Sequence, residues 1–377
     1  MQLAIFTFTR TVFNTAYRMA YPFLGVFARA LGVDLETMSL ALTVRSIGGG
    51  IIPFVAPLAD SRGRKFGMLL GVGLFTVSMA LVVFWPTFPA LFISMFFAAI
   101  GKYIFDPAMQ AYLGDLVSYE RRGRVIAITE LGWSLAFVLG IPLMGFIIAR
   151  DGWMAPFPLL TILGLLAFIL VVWQIPKDEA PVERPATVWT NFRSVLSYTP
   201  ALAGLSVVLF VTVANEVVNL IFGVWLEDSF GLQIAALGAS AAVIGVSELG
   251  GEGLVGFFAD KIGKERAVAF GLVANSIAAL LLPILGRTTL GALVGLFLFY
   301  ITFEFTLVSI VPMMTEIMPS ARATLMSFNV AALSLGRAIG APLGPFLYGF
   351  GFPIVAVGAV FFNIIALLAL RRLVKDA

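Results

Sequence analysis

The residues most able to do chemistry in this chain are charges set inside long apolar runs. Arg10, Arg18, Arg45, Lys102, Asp106, Glu130, Glu216, Glu248, Glu252, Glu304 and Arg337 all stand within such stretches. A charge at the centre of a membrane helix costs about 2.5–3.5 kcal/mol on insertion scales, so these groups sort toward a water-filled path or toward partners. Helical spacing shows which of them share a face. Arg10, Asn14, Tyr17, Arg18 and Tyr21 form one polar stripe, and Lys102, Asp106 and Gln110 form another. Asn215, Glu216 and Asn219 cluster, and Tyr300 stands one turn before Glu304. Lys102 and Asp106, four residues apart, either neutralise each other or part when a solute takes one partner. Glu216 and Glu304, with Asp106 and Glu130, are the candidate proton carriers. Glu248 and Glu252 are a like-charged pair four residues apart among Gly250, Gly251 and Gly253, a spacing that favours one shared proton.

Composition removes most other chemistry. With no cysteine and no histidine, the 377 residues hold no disulfide, no thiolate metal site and no imidazole proton carrier. Proton transfer falls to carboxylates. No phosphate-binding glycine loop, metal-ligand cluster or Ser/His arrangement is present, so the sequence predicts neither an enzyme nor an ATP-driven pump, and no cofactor. At 60% hydrophobic residues, 12% charged residues and a mean hydropathy of +1.02, the chain has too little polar surface to coat a soluble globule.

The elements that position these charges are membrane helices, each needing about 20 residues. Apolar runs and breakers place twelve, near 3–29, 37–59, 66–85, 89–117, 124–149, 153–175, 200–226, 234–259, 267–286, 289–316, 323–349 and 352–371. Spans three, six, nine and twelve carry no charge in their interiors. The fold expected is an all-α integral membrane protein of about twelve transmembrane helices in two six-helix pseudo-symmetric halves, residues 1–175 and 200–377, joined by a polar linker at 176–199.

An internal repeat supports the two halves. Shifted by two hundred positions, Ala56 to Lys65 falls on Gly256 to Glu265, keeping Ala59-Asp60 on Ala259-Asp260 and Gly63 on Gly263. The same shift carries Gly140-Ile141-Pro142-Leu143 onto Gly340-Ala341-Pro342-Leu343. A parallel repeat in so apolar a chain points to a transporter that rocks one half against the other. Cations give the orientation. Arg62, Arg64, Lys65, Arg121, Arg122, Arg124, Lys177, Arg184, Arg193, Lys261, Lys264, Arg266, Arg322, Arg371, Arg372 and Lys375 lie on one side, against Arg29, Arg150 and Arg287 on the other. That bias predicts both termini and the linker in the cytoplasm of a cell-membrane, multi-pass protein, and it accounts for the net charge of +3 without a nucleic-acid partner.

These features together resemble the major facilitator superfamily over nearly the whole chain. The family's signature loop, Gly-x-Leu-Ala-Asp-Arg-x-Gly-Arg-Lys, is similar to residues 56–65, with Ala56 and Ser61 as departures. The resemblance implies a cytoplasmic latch in which Asp60 and Arg64, around the Gly63 turn, join Asp115 at the end of span four. Leu139 to Gly145 is similar to the Gly-Pro-x-x-Gly motif of the antiporter branches but has one residue inserted between Gly140 and Pro142. The arginine that drug/proton antiporters place early in span four is absent near Met95. The resemblance also implies that the charge-free spans are outer supports and the others line a cavity.

In that cavity the first half balances Arg10, Arg18, Arg45 and Lys102 against Asp106 and Glu130, whereas the second sets Arg337 against Glu216, Glu248, Glu252 and Glu304. Opposite polarities suit a zwitterionic or amphipathic solute. Arg10, Asn14, Tyr17, Arg18, Arg45, Lys102, Asn215, Asn219, Glu248, Glu252, Tyr300 and Arg337 are the expected cavity residues. The function expected is a proton-coupled secondary transporter, an exporter of a small organic solute, acting in the lipid bilayer as a monomer. A uniporter or symporter of a small metabolite, and a non-transporting scramblase or sensor on the same fold, are the rival classes.

Overall fold

A computed structural model describes the backbone of residues 2–60, 63–116, 119–176, 188–318 and 322–376. Side chains are described in those segments apart from 51–60, 114–115, 119–124, 126–127, 188–192, 259–260, 322–323 and 376. The chain is all-α, with no strand among the described residues. Ten helical segments among them are long and apolar enough to cross a membrane. Residues 2–60, which supply the first two expected spans, are helical as well, in three helices separated at 19–23 and 32–34.

The first expected span is two helices, α1 (Gln2–Arg18) and α2 (Leu24–Leu31). Pro22 lacks an N–H for the ladder and its ring crowds the carbonyl of Arg18, which favours the break here, although the helices Phe88–Leu116 and Arg322–Tyr348 run through interior prolines. Then come α3 (Leu35–Asp60), α4 (Arg64–Phe84) and α5 (Phe88–Leu116). The expected fifth span is composite: α6 (Tyr119–Leu135), a π-helical turn at Ala136–Gly140, and α7 (Ile141–Asp151). Pro142, the second residue after that turn, has no N–H for the regular ladder, which the wider turn accommodates. α8 (Pro156–Gln174) ends the first six-helix set, and α9 (Val188–Ser197) lies in the segment read as linker. The seventh span breaks at Leu220 and Ile221 into α10 (Thr199–Asn219) and α11 (Phe222–Phe230), with no proline there. α12 (Ile234–Ile262), α13 (Lys264–Leu285), α14 (Thr289–Ile317), α15 (Arg322–Tyr348) and α16 (Phe352–Asp376) complete the chain.

Contacts divide the chain into two compact units, 1–182 with 232–242, and 183–231 with 243–377. The first turns of α12 thus belong with the first unit, where Gly145 of α7 approaches Gly238 so closely that a Cβ on Gly145 would stand 3.0 Å from the Gly238 Cα. Within each unit the repeat reappears as backbone geometry. Gly63 and Gly263 have φ of 98° and 90°, with extended ψ, a conformation essentially reserved for glycine. Both start a helix.

In the second unit the core includes Val207, Val208 and Val211 of α10 against Ile310, Met313 and Met314 of α14, with Leu325 of α15 and Ala366 and Leu370 of α16. Two asparagines pin the outer helices of that unit. Asn275 of α13 donates to the Phe299 carbonyl at 2.8 Å and to Thr302 at 3.1 Å, and Asn363 of α16 donates to Asn275 at 2.8 Å. Outside the spans, the Asp34 carboxylate accepts from the Thr37 backbone N–H at 2.6 Å ahead of α3, and this hydrogen bond holds the carboxyl below its ordinary value.

Candidate functional site

In the first unit, the polar stripe of α1 meets α3, α5 and α6. Close approach is what permits it. A Cβ on Gly132 would lie 2.8 Å from the Arg10 Cβ, and one on Gly140 would lie 2.1 Å from the Thr15 hydroxyl, so both positions require glycine. The Arg10 guanidinium then reaches Glu130 through both terminal nitrogens, at 2.6 and 2.9 Å. Its Nε stands 3.3 Å from Asp106, whose other oxygen accepts from Lys102 at 2.5 Å. Gln110 also donates to Glu130, at 3.4 Å. Two cations and two carboxylates thus form one neutral chain across α1, α5 and α6. Glu130, at one end, is the exposed member with 42% of its side chain accessible, against 6% for Arg10, 16% for Asp106 and 10% for Lys102.

Arg18 and Arg45 are held by rings. The Arg18 guanidinium carbon lies 3.4 Å from the Trp133 ring centroid and 3.9 Å from that of Phe137, a desolvated cation–π contact. Arg45 of α3 stacks 3.8 Å from the Tyr17 ring and donates to the Tyr21 hydroxyl at 2.8 Å. It also donates to the Tyr17 backbone carbonyl at 2.6 Å, satisfying an acceptor that the break after Arg18 releases from the helix ladder. Tyr17 and Tyr103 hydroxyls are 3.4 Å apart. A cavity of about 20 Å³, room for one water, has Tyr17, Arg45, Ser94 and Lys102 in its lining. Asn14 is fully buried, and neither atom of its amide has a hydrogen-bond partner among the described residues.

The second unit repeats the packing with different side chains. A Cβ on Gly340 of α15 would lie 2.6 Å from the Glu216 Cβ, as Gly140 does with Thr15. Glu216 is fully buried and accepts from Asn219 at 3.4 Å, and Asn219 in turn accepts from the Tyr300 hydroxyl at 2.8 Å. Asn215 is buried one position earlier. Arg337 lies one turn before Gly340 on the same face of α15 and is half-buried. Gly251 lets α14 approach α12, since its Cβ would lie 2.7 Å from the Glu304 Cβ. That contact sets Glu304 against the turn bearing Glu248 and Glu252. Glu248 and Glu304 are buried, whereas Glu252 is exposed.

Of the expected latch, Gly63 forms its turn and Arg64 begins α4 half-buried. The side chains of Asp60 and Asp115 lie outside the described residues. Two contacts at the same ends of the helices were not anticipated. Lys65 donates to the Val172 and Ile175 carbonyls at 2.8 and 2.5 Å, closing the last turn of α8 as a cation at a helix C-terminus does. In the second unit Lys264, the counterpart of Arg64, pairs with Glu316 at the end of α14. Trp133 and Phe137 were missed as well. Their spacing from Glu130, three and seven residues, was the available signal.

The family model described as Major Facilitator Superfamily matches residues 6–315 and, again, 205–377. The chain belongs to the Major Facilitator Superfamily. Among its superfamily relatives, "Uncharacterized MFS-type transporter YceJ" of Bacillus subtilis (strain 168) is 24% identical over 340 residues, covering 89% of this chain and 86% of the relative. "Multidrug resistance protein 2" of the same strain is 22% identical over 340 residues, covering 87% and 84%. A solved bacterial homolog of the human lysosomal transporter Spinster, inward-facing and unoccupied, superposes with a TM-score of 0.82 at 16% identity, covering 99% of this chain and 97% of that one. This superfamily member is therefore an all-α, multi-pass membrane transporter.

Proposed function

We propose that this superfamily member is a proton-coupled exporter of a small amphipathic or zwitterionic organic solute, working by alternating access between its halves, 1–175 and 200–377, about the 176–199 linker. The observation that carries the proposal is the buried chain Lys102–Asp106–Arg10–Glu130. Its charges cancel only while both carboxylates are ionised. A proton on Glu130, the most exposed member, withdraws the partner of both Arg10 terminal nitrogens and leaves them to an anionic group of the solute, while the Arg10 Nε keeps Asp106. Glu216 and Glu304 are the carriers in the second half, buried where an ionised form needs a partner.

The aromatic contacts of Arg18 and Arg45 support an amphipathic ligand, because they offer flat apolar surface beside fixed positive charge. The name of the multidrug-resistance relative is consistent with export. Both termini are assigned to the cytoplasm by the cation bias, and the protein is assigned to the cell membrane as a monomer. The test is purified protein in liposomes with an imposed proton gradient, followed by an internal pH dye and a panel of zwitterionic and amphipathic solutes. Solute movement that dissipates the gradient supports the reading. Movement that leaves internal pH unchanged favours a uniporter.

A further inference from the structure

Away from the charged helices, α12, α13 and α14 enclose an apolar groove of about 370 Å³. Leu254, Phe258 and Ile262 form one stripe of it at four-residue intervals on α12. Phe270 faces them from α13, and Ile301 and Phe305 close it from α14. Phe258 and Phe270 are 48% and 61% exposed, so the groove opens sideways, toward what surrounds the helices in a membrane. No side chain fills it. Water has little to bind there: the one hydroxyl in the lining, on Thr302, already donates to the Leu298 and Phe299 carbonyls. An empty groove of this size would forfeit dispersion contacts along its whole lining. Hydrocarbon must occupy it.

The charged end of the groove selects which hydrocarbon. Lys261 follows Phe258 by three residues and Arg266 precedes Phe270 by four, so each stands one turn beyond a lining ring, on either side of the Gly263 turn. Both cations are exposed, whereas Lys264 between them is committed to Glu316. Glu265 precedes Arg266 and projects about 100° from it around the helix, and the side chain of Asp260, next to Lys261, lies outside the described residues. We propose that this groove binds one anionic diacyl phospholipid, with an acyl chain along the α12 stripe and the phosphate over Lys261 and Arg266. The chain alone gives no preference over bulk lipid, because the surroundings are equally apolar. Selectivity therefore rests on the two cations, each contributing about fivefold near an anionic headgroup.

The test is native mass spectrometry of the full chain released from mixed micelles holding equal phosphatidylglycerol and phosphatidylcholine. Retention of one phosphatidylglycerol per chain in preference to phosphatidylcholine is expected. The double variant Lys261→Gln/Arg266→Gln should lose that preference by roughly twenty-five-fold. The control Arg371→Gln/Lys375→Gln, which changes exposed cations at the end of α16, should keep it. Ala274→Trp, which plugs the groove, should lower retention of both lipids. Equal retention of the two lipids by the unaltered protein overturns the proposal, as does unchanged preference in the Lys261/Arg266 variant. A second copy of the chain found covering α12–α14, with no lipid retained, also overturns it. None of these readouts depends on transport, so the proposal stands or falls apart from proton coupling.

Discussion

Asp106→Asn and Glu130→Gln make the same chemical change in one network, yet the structure assigns them different costs. Asp106 faces two cations, Lys102 and Arg10, whose side chains are 10% and 6% exposed. Its amide leaves Lys102 without the carboxylate that compensates it, and breaking a buried pair from one side costs about 3–5 kcal/mol. Glu130 is 42% exposed, and Arg10 keeps Asp106 when Glu130 is neutralised. Solvent screening limits that loss to about 1 kcal/mol. The gap of about 2–4 kcal/mol is measurable by equilibrium unfolding in mixed micelles, followed by helicity. A further variant separates network from packing: Lys102→Met on the Asp106→Asn background removes the orphaned cation and should recover part of the loss. Equal costs for the two amides, or no recovery on removing Lys102, would refute the reasoning.

Other consequences follow from the same geometry. Gly140→Ala and Gly340→Ala should each destabilise the protein by about 1–3 kcal/mol, because the added methyl meets Thr15 in one unit and Glu216 in the other; micelle unfolding measures it. Asp60→Asn and Arg64→Ala should slow turnover while leaving solute affinity intact, and Glu316→Gln, which breaks the pair with Lys264, should do the same from the second unit. Loss of equilibrium binding in a folded variant would remove the latch interpretation. Reporter fusions at either terminus should read cytoplasmic, and an external signal would reverse the topology along with the latch.

How much was legible beforehand divides along physical lines. Long apolar runs and the two-hundred-residue repeat carry the helices and their pairing in the sequence, because membrane insertion leaves little else for an apolar run to do. The Lys102–Asp106 pair was legible too, since it lies on one helix at a spacing that the helix itself dictates. Arg10 with Glu130 was not, because 120 residues separate them and only the Gly132 and Gly140 approach brings α6 onto α1. The break after Arg18 was hidden for a related reason. Pro22 was visible, but the compensation that makes the break tolerable comes from Arg45 on another helix. The expected like-charged pair of Glu248 and Glu252 is one-sided in the fold, buried at the first and exposed at the second, and Glu304 joins them through Gly251. Asn275 and Asn363 escaped notice because uncharged amides barely lower the hydropathy of a span, although together they tie α13, α14 and α16.

The central claim is that carboxylates in the two halves carry protons coupled to solute movement. Its most direct test uses Glu130→Gln, Glu216→Gln, Glu304→Gln and Asp106→Asn in liposomes, each assayed for proton-driven accumulation and for solute exchange at equal pH. A coupling carboxylate replaced by its amide should abolish accumulation and spare exchange, since the amide mimics the protonated form. If all four variants retain full proton-driven accumulation, these carboxylates are structural and the account is contradicted.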